Sequence, residues 1–233
     1  MIPYSDNLGP RRFPVLTILI VLCWGGLHAW FWTLDQPHCR RVETRFGLVS
    51  GWVHAACERL GDGGLGASTD SLLTLIVRML AYPWIHFGIV GAVTNSIILL
   101  AFGARLESRV GWLRFAIVWV LWGIVVGIAE VVFFPARNVP VVGGGGCCAA
   151  LIAAFLSLYP KARIRVMVPA VVVPVFAAIP AVVLALGWVV LQYAPVQCLL
   201  ALGDDAPLGY SSLGLGAIAG LLTAPMLRER ETR

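Results

Sequence analysis

The stretch "LRFAIVWVLWGIVVGIAEVVFF", residues 113–134, decides the architecture. Apart from Arg114 at its start and Glu130 near its end, every residue in it is apolar or glycine. At about 1.5 Å of rise per residue, a helix of this length reaches across the roughly 30 Å hydrocarbon core of a bilayer. Similar runs flank it, at about Pro14–Trp32, Trp84–Phe102, Val141–Leu158, Val166–Val190 and Gly209–Leu227. The chain has 233 residues, of which 59% are hydrophobic and only 12% charged. A soluble domain carries about twice that charged fraction. The reading is an all-α polytopic membrane protein of six transmembrane helices, with residues 1–233 forming one membrane domain. The polar Met1–Arg12 segment is not a cleaved signal peptide.

Charge gives the orientation. With six spans both termini lie on one side, and eleven of the 17 Lys and Arg residues fall at the ends and in the loops of that side. The positive-inside rule makes it the cytoplasmic one. The net charge of +5 is spread at the ends of apolar segments and forms no stripe, so nucleic acid is excluded as a partner. Residues about 33–83 form a long outer loop. Within it, "RFGLVSGWVHAACERL", residues 45–60, places Phe46, Val49, Trp52, Val53, Ala56 and Leu60 at helical spacing, as in an amphipathic helix lying at the interface. "GDGGLGAS" breaks it. "SLLTLIVRML", residues 71–80, reads as a second interfacial or re-entrant piece. The fifth run carries Pro169, Pro174 and Pro180. No internal repeat is present, which argues against an inverted-repeat transporter.

Several segments carry a resemblance. "IPYSDNLGPRRFPVLT" (2–17), "FGARLESRVGWLRF" (102–115), "SLYPKARI" (157–164) and Val77–Arg78 stand in the order and tempo of the bacterial rhomboid intramembrane proteases. That resemblance implies a six-helix rhomboid-like bundle with an interfacial outer loop, in the bacterial inner (cytoplasmic) membrane with both termini cytoplasmic. It further implies a Ser–His dyad, with the Ser in a Gly-x-Ser-Gly motif opening the fourth span and the His in the sixth, and a His and an Asn in the second span holding the oxyanion.

The matching positions lack that chemistry. "VPVVGGGGCCAAL", residues 139–151, puts Gly145 where the nucleophile belongs. "LGLGAIAG", residues 213–220, puts Leu213 where the general base belongs, and leucine takes no proton. "HFGIVGAVTN", residues 86–95, keeps His86 and Asn95 but has Gly91 for the second His. The resemblance therefore implies a pseudoprotease with no catalytic residue, no metal and no cofactor. Its function would be non-catalytic: receiving transmembrane helices of partner proteins as an adaptor, assembly or quality-control factor. Gly143, Gly144, Gly146 and Cys147 would line the cavity, with Trp84, Pro174 and Pro180 along the approach near the second and fifth spans; lipid is a further partner. A permanent accessory subunit of a larger complex and an active protease using Cys147 stay open as alternatives. Cys147 and Cys148 also read as small packing residues, and Ser211 and Ser212 as helix-packing serines. Gly216 and Gly220 form a small-xxx-small motif facing Gly146, Ala150 and Ala154 in the family arrangement. Glu130 is expected to pair with Arg137 or Arg78. His38, Cys39, His54 and Cys57 have the wrong spacing for zinc, and a Cys39–Cys57 disulfide stays open.

Overall fold

The computed structural model describes residues 2–9, 12–61, 69–86, 88–168, 175–192 and 210–228. The fold is mostly helical. In chain order the elements are β1 (Ile2–Asp6), α1 (Val15–Phe31), α2 (Gln36–Phe46), α3 (Ser50–Gly61) and α4 (Thr69–Ala81). A 3₁₀ turn (Tyr82–Trp84) leads to α5 (Ile89–Ile98), which passes through a π turn (Leu99–Gly103) into α6 (Ala104–Val110). There follow α7 (Trp112–Phe133), α8 (Gly145–Leu158), β2 (Arg163–Val168), β3 (Val175–Pro180), α9 (Ala181–Gln192) and α10 (Tyr210–Thr223), with a final 3₁₀ turn at Ala224–Leu227.

Among the described residues, two helical stretches are long and apolar enough to cross a bilayer: Ile89–Val110, which joins α5 to α6, and α7. The other apolar helices run to 17 residues at most. Helix length thus accounts for two of the six expected crossings. The second run begins at Ile89 rather than Trp84 and continues to Val110 rather than Phe102, because Pro83 holds the chain in a 3₁₀ turn.

The expected fifth helix, Val166–Val190, is corrected. Its first half is a β-hairpin, so the chain is not all-α. β1, β2 and β3 form one antiparallel sheet in that order, with Ser5 opposite Arg165 and Arg165 opposite Ala178. The register shifts between Pro3 and Ser5, leaving Tyr4 as a bulge. The physical reason lies in the alternation of β2: Ile164 and Val166 point into the core while Arg163 and Arg165 are exposed, a period of two that a helix cannot satisfy. Pro180 then closes β3 and α9 starts at the next residue. Pro169 and Pro174 lie outside the described residues.

The outer amphipathic segment is also divided. α2 ends at Phe46 and α3 begins at Ser50. Between them Leu48 makes a β-bridge with Val141. Gly47 permits the break, since a Cβ there would lie 2.4 Å from the Glu43 carbonyl oxygen. Residues 71–80 lie within the continuous helix α4.

The tightest packing joins α8 to α10. A Cβ on Gly216 would lie 2.0 Å from the Gly146 carbonyl oxygen, and one on Gly220 would lie 2.0 Å from that of Ala150. The two backbones therefore touch, which is what small residues at helical spacing permit in a membrane bundle. Around this seam sit Trp24, Trp122, Phe102, Phe115 and Phe155, all buried. At one end of the bundle the buried Glu107 accepts hydrogen bonds from Leu16 N (2.9 Å), Thr17 N (2.8 Å) and Thr17 Oγ1 (2.8 Å), capping α1 from a distant element. Beside it Arg105 is paired with the buried Asp6 of β1.

Candidate functional site

The glycine run at the start of α8 has a position-by-position explanation. Gly143 has φ +109°, a conformation L side chains rarely adopt. A Cβ on Gly144 would meet the Trp24 ring at 2.6 Å. One on Gly146 would meet Val126 at 2.7 Å and the Ser212 carbonyl oxygen at 3.0 Å. Gly145 differs from the other three. The nearest atom to a Cβ there is Leu213 Cδ2, at 3.3 Å, the far end of a flexible side chain. Geometry demands glycine at three of the four positions, while at Gly145 there is room for a side chain. That side chain would point at Leu213.

Gly145 and Leu213 thus face one another across the α8–α10 seam. Neither can carry a proton or attack a carbonyl. Cys147, two residues on, is buried, and its Sγ lies 3.6 Å from where a Gly123 Cβ would stand, against α7 and away from α10. Cys148 Sγ contacts the Asn95 carbonyl oxygen at 3.7 Å.

His86 and Asn95 are brought together with the start of α8. Trp188 Nε1 donates to Asn95 Oδ1 at 3.1 Å, and Gln192 Nε2 donates to the same oxygen at 2.7 Å. An indole N–H is only a donor, so the Asn95 oxygen must face it and the amide NH₂ must face the other way. There it donates to His86 Nε2 at 3.1 Å. Gly144 N approaches the same nitrogen at 3.4 Å. His86 Nε2 is therefore the acceptor, its proton sits on Nδ1, and the ring also bonds to the Trp84 backbone. The imidazole packs edge-on to Trp24 at 4.9 Å between centroids. Its Cδ2 lies 3.8 Å from where a Cβ of Gly91 would stand. Two N–H donors, of Asn95 and Gly144, thus converge on one nitrogen of an imidazole of the same chain.

The remaining candidates fall as follows. Trp84 ends the 3₁₀ turn and packs against the main core. Pro180 pairs with Arg163 at the end of the sheet, immediately before α9. Pro174 lies outside the described residues. Cys39 is a free thiol directed at the Phe31 carbonyl oxygen (3.5 Å), and the side chain of Cys57 lies outside the described residues. Glu130 is fully buried and pairs with Arg137 at 2.8 Å; Ser211 Oγ donates to its other oxygen. Sequence reading missed Trp188 and Gln192. Both stand on a helix that reads as uniformly apolar apart from Gln192 itself, and that lone amide four residues after a Trp was the available signal.

Comparison with known proteins supports the geometry. A family model described as Rhomboid domain matches residues 74–230, more than half of the chain. The chain is also 35% identical over 86 residues to the Inactive RHOMBOID-like protein 8 of Arabidopsis thaliana. That match spans 37% of this chain and 24% of the plant protein. From α4 through the seam of α8 and α10, this is a membrane protein of the rhomboid family.

Proposed function

We propose that the chain is a rhomboid pseudoprotease that binds transmembrane helices of partner proteins and acts as an adaptor, assembly or quality-control factor without cutting them. The observation that carries the reading is the pair Gly145 and Leu213, 3.3 Å apart from virtual Cβ to methyl, with no nucleophile on one side and no base on the other. Its second support is the internal use of the Asn95 and Gly144 N–H donors by His86. Oriented donors left empty would stabilise a developing oxyanion; here they are occupied in the ground state. The inactive designation of the plant relative agrees in kind, although it belongs to that protein and to a short shared segment.

Helix binding does not need the lost groups. Helices associate in a bilayer through close packing and interhelical hydrogen bonds. α9 presents Val182, Val183, Leu186 and Val190 outward, and its Trp188 and Gln192 donate to Asn95 of α5. A partner helix would dock along that α5–α9 front. The test is photocrosslinking from the α9 outer face in native membranes, followed by mass spectrometry. The expected result is a set of intact membrane partners at substoichiometric levels. A single partner at fixed stoichiometry would favour a permanent accessory subunit, and no adduct above background would remove the helix-binding reading.

A further inference from the structure

The three-stranded sheet has a face that the helical bundle does not use. Ile164 and Val166 fill the core, so Arg163 and Arg165 of β2 point the other way and are exposed. Cross-strand pairing puts Ser5 and Ala178 beside Arg165. Phe176 of β3 (62% exposed) stacks edge-on with Tyr4 of the β1 bulge (46% exposed), their centroids 5.9 Å apart. The outward surface is therefore an aromatic pair next to two guanidinium groups.

This sheet lies at one defined end of the bundle. Arg12 N bonds Ser108 Oγ at 2.7 Å, Arg109 Nε bonds the Leu227 carbonyl oxygen at 3.1 Å, and Arg109 Nη1 bonds Tyr159 Oη at 2.8 Å. These contacts gather the start of α1, the α6–α7 turn and the ends of α8 and α10. Among the described residues at this end, both acidic side chains are buried and spent, Asp6 on Arg105 and Glu107 on the N-terminus of α1. The exposed charges left over, on Arg12, Arg114, Lys161, Arg163, Arg165 and Arg228, are all positive. Among the described residues no strand pairs with the outer edge of β3, whose backbone N–H and C=O groups cannot lie in hydrocarbon. The sheet must therefore sit at the depth of the headgroups, where aromatic rings anchor.

We infer that the outward face of the β1–β2–β3 sheet, built on Arg163, Arg165, Tyr4 and Phe176, is a binding platform for anionic phospholipid headgroups. The guanidinium pair meets a lipid phosphate, for which its planar donor fork is suited. The two rings sit over the adjoining glycerol and upper acyl region. The face thereby fixes the height of the hairpin, and of the α9 helix that continues from it, relative to the bilayer surface.

The test titrates phosphatidylglycerol or phosphatidylcholine into the purified full chain in a mild detergent and counts retained lipids by native mass spectrometry. The expected result is preferential retention of phosphatidylglycerol, reduced about tenfold or more by R163Q/R165Q. R163K/R165K keeps the charge and stays near the parent. Ala178→Asp, which leaves both arginines in place and sets a carboxylate beside Arg165, also lowers retention. R114Q, on the same end but off the sheet, changes it little. Equal retention of the two lipids, or unchanged phosphatidylglycerol binding in both R163Q/R165Q and Ala178→Asp, would overturn the inference.

Discussion

At the scale of single residues, the site is defined by what each glycine touches. A Cβ on Gly144 would lie 2.6 Å from the buried Trp24 ring and 3.2 Å from the Pro83 carbonyl oxygen. Gly145 meets only a leucine methyl. Gly144→Ala should therefore lose stability on the scale of overpacking, about 1–3 kcal/mol. Gly145→Ala, at the first position of a helix, should be neutral or slightly stabilising by up to ~1 kcal/mol. Thermal melts of the two variants in one detergent make the comparison, and equal losses would contradict the assignment of Gly145 as the one vacant position. The buried Glu130 gives a second residue-scale prediction. Removing its partner through Arg137→Ala strands a carboxylate that is 0% exposed, and the cost should approach the 3–5 kcal/mol of a broken buried pair. Glu130→Gln, which retains an acceptor for Ser211 and Arg137, should cost clearly less.

At the scale of elements, one carboxamide joins α5 to α9. Asn95 accepts from Trp188 and Gln192 while donating to His86. Asn95→Ala removes that shared acceptor, and α9 should show faster amide hydrogen exchange while α8 and α10 stay protected. Unchanged exchange across residues 181–192 would show that packing alone holds α9. The outer segment carries a pH dependence. Burial raises the Glu43 carboxyl on α2 to about 7, only partly opposed by Arg40. A folded-state value above the ordinary 4.5 means that the folded form binds the proton more tightly. The resulting stabilisation of α2 is complete below pH 4.5 and disappears as pH rises through about 7. The thermal midpoint should accordingly be higher at pH 5 than at pH 8, and Glu43→Gln should flatten that difference. A midpoint rising from pH 5 to pH 8 in step with Glu43 ionisation would contradict it.

Some elements were legible in the sequence and others were not, for physical reasons. α7 matches its expected span within a residue, because a long apolar run between polar ends leaves one solution in a bilayer. The facing of Gly216 and Gly220 onto Gly146 and Ala150, and the opposition of Gly145 to Leu213, were implied by the rhomboid resemblance, which places those positions across one seam. The paired strands β2 and β3 were hidden because their apolar residues, read in bulk, look like a span; only the strict alternation of Arg163, Ile164, Arg165 and Val166 betrays the strand. The break at Gly47 was equally hidden, since it depends on Val141, nearly a hundred residues away, offering a bridge to Leu48. The Asn95 cluster joins three elements distant in sequence, and periodicity within one element cannot reveal it.

At the scale of the whole molecule, the rhomboid bundle keeps its seam, its capped first helix and its buried ion pairs, while the centre between α8 and α10 holds a glycine opposite a leucine. The proposed helix binding depends on packing, whereas cleavage would depend on a handful of polar atoms. The direct measurement is cleavage: the full chain, reconstituted in liposomes with fluorescently tagged transmembrane substrates, followed by gel and mass spectrometry. The expected result is intact substrate, indistinguishable from protein-free liposomes. Cleavage that disappears on Cys147→Ala or Ser211→Ala would contradict it.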